Sequence, residues 1–183
     1  MLFAFYDRLS ARDKAIYRRS DAITSVALPG SAELHPLVAE LRRTLEQGER
    51  REIEQAASDL SAGLNRRLGV PRALLTVLAV RPSSSWGELH GLYTREPGLT
   101  PRIQLWMRTA QHKRIVAFRT FLRTLLHEVG HHLDYELLRL GESFHTEGFF
   151  RRESSLFKQL VPEATAGGAA PGQDSDSPRP GRK

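Results

Sequence analysis

Apolar residues recur along this 183-residue chain with two different periods, and the switch between them outlines the elements. Residues 7 to 19 read as a short polar helix, with Ser10 and Asp13 spaced as a capping box. Ser20 to Ser31 reads as a loop around Pro29-Gly30. Between 32 and 68 the apolar positions fall at steps of three and four. Leu34, Leu37, Val38, Leu41 and Leu45 form one stripe, and Ile53, Ala56, Ala57, Leu60, Leu64 and Leu68 form another. Gly48 predicts a break between two helices, and Gly69 with Pro71 predicts a stop. The period then changes. Leu74 to Val80 is a continuous apolar run that suits a buried strand. After three serines, Leu89, Gly91 and Tyr93 alternate with His90, Leu92 and Thr94 as a second strand. Glu96-Pro97-Gly98 turns the chain, and Ile103, Leu105 and Met107 mark a third.

Helical spacing returns with Ile115, Phe118, Phe121, Leu122, Leu125, Leu126, Val129 and Leu133. It predicts one long, largely buried helix from about Lys113 to Arg139, followed by a last helix from about Thr146 to Leu160. From Glu163 onward Gly, Ala, Pro, Ser and Asp follow without period, which reads as a disordered tail over 163–183. Segregated helices and strands imply an α+β fold. One domain over 1–162 is expected, with its core in 73–161.

The motif helix carries His127-Glu128-Val129-Gly130-His131, an H-E-x-x-H pattern. Residues four apart stand one above the other on a helix, so His127 and His131 can offer two imidazole nitrogens to one Zn²⁺. Glu128 lies beside them, placed to take a proton from water as the general base. His132 sits about 140° round an ideal helix from His127 and reads as structural. His90 and His112 have no evident chemical partner.

Composition narrows the ligand set. The chain has no cysteine, which excludes disulfides and thiolate sites and leaves His, Asp and Glu as donors. No run of 18 apolar residues predicts a membrane span, and the first residues do not read as a signal peptide, so a cytoplasmic location is expected. The formal net charge is +6, and the tail adds nothing to it. The arginine pairs at 18–19, 42–43, 50–51, 66–67 and 151–152 read first as solvated surface. DNA or an acidic partner is the alternative, without a base-reading motif to support it.

A catalytic zinc takes three protein ligands and keeps one position open. His145, at the entry to the last helix and four residues before Phe149, is the first candidate for the third. Glu153 is the next, two turns further on, followed by Glu147 and Asp134. Asp134 suits a supporting place, holding the other nitrogen of a histidine. Tyr93, Tyr135 and Arg123 are conceivable donors to a developing oxyanion.

Leu126-His127-Glu128-Val129-Gly130-His131-His132, with His145 and Phe149 downstream, resembles the small zincins, particularly the SprT-like metallopeptidases and the minigluzincins. SprT-like proteins carry a His-Gly-x-x-Phe/Trp pattern about this far on; here Thr146 replaces the glycine. The resemblance covers roughly Leu74 to Leu160. It implies a three-stranded sheet above the motif helix and zinc-dependent hydrolysis of a protein or peptide substrate. The substrate would pair with an edge strand, either the Ile103 or the Leu89 strand. The alternative is a zinc-containing module that binds DNA or protein without proteolysis.

Overall fold

The structure, a computed structural model, describes residues 6–84 and 87–162. The expected tail from Glu163 lies outside the described residues. The fold is α+β, with five α-helices and a three-stranded mixed sheet among the described residues. No helix among the described residues is long and apolar enough to cross a membrane.

Helix α1 (Ala11–Ala22) starts later than its periodicity suggests, because Ser10 is its N-cap: the hydroxyl accepts from the Asp13 N–H. It also runs further, and Ser20, expected in a loop, is a buried helical residue. Helices α2 (His35–Gln47) and α3 (Arg50–Leu68) divide at Gly48 as expected. Gly48 and Gly69 both cap in the left-handed region, at φ 79° and 65°.

Strand β1 (Leu74–Val80) is followed by a two-stranded ribbon, β2 (Ser83–Ser84) and β3 (Gly87–Glu88), and then by β4 (Gly91–Thr94) and β5 (Arg102–Arg108). The main sheet has the order β1-β5-β4, with β1 parallel and β4 antiparallel to β5. Two expectations change. The Ile103 strand is central, so it offers no free edge. Strand β1 is an edge strand, and within it only Val77 is fully buried. Its outer side is closed by α3: the Val77 N–H donates to Glu54 at 2.8 Å and its carbonyl accepts from Arg50 at 3.0 Å. The outer side of β4 has no strand partner among the described residues.

Helix α4 (Phe118–Glu136) is shorter than the expected Lys113–Arg139. The chain before it continues β5 instead. Ile115 forms an antiparallel bridge with Arg108, the Val116 N–H donates to the Met107 carbonyl at 2.8 Å, and Lys113 turns the chain at φ 53°. At the other end Arg139 takes a left-handed φ of 53°. Helix α5 (Glu147–Leu160) is capped by Thr146, whose hydroxyl accepts from the Phe149 N–H at 3.0 Å. It packs along α4, with its first turn beside His127 and Phe157 beside Arg119 and Arg123. The core lies between the apolar faces of α2, α3, α4 and α5 and the inner face of the sheet.

Candidate metal centre

Helix α4 turns its leucines inward and presents His127 and His131 to a cleft of about 590 Å³ beneath β4. The turn between α4 and α5 delivers His145 to the same point. The His127 and His145 Nε2 atoms are 2.9 Å apart, and those of His145 and His131 are 3.1 Å apart. All three ligand atoms lie within 4.8 Å of one another. Nitrogens bound at about 2.0–2.1 Å to a tetrahedral ion sit about 3.3 Å apart, so small outward shifts admit a metal.

The hydrogen-bond pattern dictates the tautomers. Ser143 Oγ donates its single proton to Asp134 Oδ2 at 2.7 Å, so it must accept from His131 Nδ1–H, also at 2.7 Å. His131 Nε2 therefore faces the cleft with its lone pair. His127 Nδ1–H donates to Glu153 Oε2 at 3.3 Å and frees its Nε2 in the same way. Burial, then the neighbouring His127 and His145, push the His131 pKa down to about 3, which keeps that lone pair available. Burial also lowers the pKa of His145. Phe149 lies under all three imidazoles, with ring centroids 4.9–5.3 Å away. Gly130 makes room for it, since a Cβ there would come within 3.0 Å of the Phe149 ring.

Glu128 is buried against β4. A Cβ on Gly91 would overlap its carboxylate and stand 2.8 Å from its Cγ. Burial raises the Glu128 pKa to about 7, against a lowering by His127 and by the Tyr93 main-chain hydrogen bond. A carboxylate that loses and regains a proton near neutrality, beside three converging imidazoles, suits general acid–base work.

The other candidates fall elsewhere. Glu153 accepts from His127 and also pairs with Arg123 at 3.3 Å, so it stands behind a histidine rather than among the converging nitrogens. Asp134 acts on His131 through Ser143. Glu147 pairs with Arg151 in the first turn of α5. His132 is fully buried, with Nε2–H donating to the Pro71 carbonyl at 2.8 Å and Nδ1 accepting from the Tyr93 hydroxyl at 3.2 Å. Tyr93, Tyr135 and Arg123 all line the cleft, but the Tyr135 hydroxyl donates to Glu142 at 2.7 Å. His90 lines the cleft as well; His112 is exposed in the loop after β5.

Sequence reasoning missed Ser143, Gly91 and Arg152. Ser143 left no signal, because its role depends on a turn. Gly91 left one, since a glycine inside a strand often marks close approach by another group. Arg152, read as surface charge, is buried and donates to Asp134 Oδ1 at 2.8 Å and to the Ser20 and Ile23 carbonyls at 2.6 Å each.

Comparisons of the chain with family models, curated proteins and solved structures find no match. The reading of this centre rests on its geometry.

Proposed function

We propose that this chain is a zinc-dependent metallopeptidase of the zincin kind, with His127, His131 and His145 as metal ligands and Glu128 as general base. The observation that carries the proposal is the meeting of three Nε2 atoms beside a buried glutamate inside one cleft. Three imidazoles, two from α4 and one from the turn before α5, with the far nitrogens of the α4 pair held by oxygen acceptors, suit zinc among the first-row metals.

When bound, Zn²⁺ would lower the pKa of water and polarise a carbonyl oxygen. The protein's own residues supply the rest. Gly91 and the Tyr93 main chain hold the Glu128 carboxylate against β4. Glu128 takes a proton from water as the hydroxyl adds to the scissile carbonyl carbon. It returns that proton to the amine nitrogen as the C–N bond breaks. The open edge of β4, which walls the cleft, suits main-chain pairing with an extended peptide.

Turnover of a quenched-fluorescence peptide mixture by the zinc-loaded chain tests the proposal. Wild type should cleave, and Glu128→Gln should lose at least about a hundredfold while keeping its zinc. Equal cleavage by both would remove Glu128 from the mechanism; no cleavage by zinc-loaded wild type would remove the peptidase reading.

A further inference from the structure

The four-residue step that stacks His127 beneath His131 continues back along α4 to Arg123 and Arg119. At 1.5 Å per residue these positions lie about 6 and 12 Å along the helix axis from His127. Both guanidiniums rest on one ring. Arg123 lies 4.2 Å and Arg119 5.2 Å from the centroid of Phe157, a buried residue of α5. Stacking on a fixed ring reduces the rotamer freedom the two side chains lose on gripping a ligand.

The charges do not balance at this end, where Arg123 lines the cleft and Arg119 lies one helical turn beyond it. Glu153 pairs with Arg123 alone of the two, and it is shared with the Nδ1–H of His127. Arg119 is exposed and, among the described residues, forms no ion pair. The other end differs: Arg95, which lies over Tyr135, and Arg139 both pair with Glu136 at 3.7 Å, and Glu142, which accepts from the Tyr135 hydroxyl, is a second carboxylate there. The positive excess is therefore local and lies in line with the imidazoles.

We infer that Arg119 and Arg123 form a subsite for acidic side chains of a peptide lying in the cleft, on the side of the scissile bond nearest the start of α4. This rests on the peptidase reading, which makes a peptide the occupant. Two guanidiniums one helical turn apart match one or two carboxylates, whereas a nucleic-acid backbone would call for a longer track. The opposite wall also favours a peptide. It consists of the β4 main chain and the half-exposed Leu89 and Leu92, which an extended peptide can pair with and cover.

The test uses the full zinc-loaded chain and fluorescence anisotropy with two labelled decapeptides, identical except that four glutamates in one are glutamines in the other. At about 50 mM salt the acidic peptide should bind about five- to tenfold more tightly, the magnitude expected of two exposed guanidiniums. Arg119→Glu, a change at an exposed position, should abolish that preference, and a lysine-bearing peptide should then become the tighter binder. Equal binding of the two peptides, or a preference that survives Arg119→Glu, would overturn the inference. So would a single-stranded oligonucleotide of equal charge that binds more tightly than the acidic peptide and loses affinity in Arg119→Glu. Binding is read apart from turnover, so a chain that prefers acidic peptides yet cleaves none would refute the peptidase reading and leave the subsite standing.

Discussion

Gly91 and Glu128 show how closely individual residues constrain this site. The glutamate carboxylate rests where a side chain on residue 91 would begin. Gly91→Ala must therefore displace Glu128 or the strand above it. Displacing a catalytic group by about 1 Å can cost about a hundredfold in rate. Gly91→Ala should accordingly lose activity on that scale while retaining metal, as peptide turnover and zinc content would report; wild-type turnover would show that the close approach is dispensable. Titration gives a second check, in the metal-free protein. His131, whose pKa falls from 6.5 to about 3 on folding, makes stability decline as pH drops from about 6.5 towards 3, because the unfolded chain takes up the proton first. Glu128, whose pKa rises from 4.5 to about 7, acts in the opposite sense: the folded state takes up its proton first as pH drops from about 7 to 4.5. Removing the second effect exposes the first. Urea unfolding of chelated Glu128→Gln should therefore lose stability between pH 7 and 4.5 more steeply than wild type. Parallel curves would contradict the burial of Glu128.

At the scale of elements, the turn between α4 and α5 does most to complete the centre. It carries Ser143, which fixes the His131 tautomer, and His145, which closes the triad. Ser143→Ala should weaken zinc binding by about ten- to a hundredfold, as loss of a ligand's supporting hydrogen bond commonly does. Competition with a chromophoric chelator would measure it, and unchanged affinity would contradict the tautomer argument. Much at this scale could be read from sequence. The motif helix, the break at Gly48 and the cap at Ser10 each follow from short-range spacing. The start of α4 could not, because Ile115 lies three residues before Phe118 and so fits the helical period while belonging to a β-bridge. Spacing ranks His145 ahead of Glu153 as third ligand but leaves both open, for a similar reason. Both approach His127, one at Nε2 and one at Nδ1, and only the packing of α5 against α4 shows which nitrogen each one faces.

For the whole molecule, Arg152 joins parts that are distant in sequence. It holds the end of α1 through two main-chain carbonyls and holds α4 through Asp134, in contact with the chain of bonds that leads to His131. Arg151 beside it is exposed, and identity alone could not tell the two apart. The side chains of Arg152 and Asp134 are only 4% and 0% exposed. Removing one partner leaves a buried charge without its counter-ion, so Arg152→Met should cost about 3–5 kcal/mol of stability in urea unfolding. Adding Asp134→Asn should recover part of that loss. A change within about 0.5 kcal/mol, the range of ordinary surface substitutions, would contradict the clip. The same network ties the first helix to His131, which explains how an N-terminal segment without candidate ligands supports the candidate site.

Metal content per chain is the decisive measurement for the proposed three-histidine zinc centre. Protein purified without added metal should carry about one zinc by mass spectrometry. His127→Ala, His131→Ala and His145→Ala should each lose or sharply weaken it, while Glu153→Gln should retain it with reduced affinity. Wild type without zinc after incubation with the metal would contradict a zinc centre here. So would full retention in His145→Ala together with loss in Glu153→Gln, which would make the glutamate the third ligand.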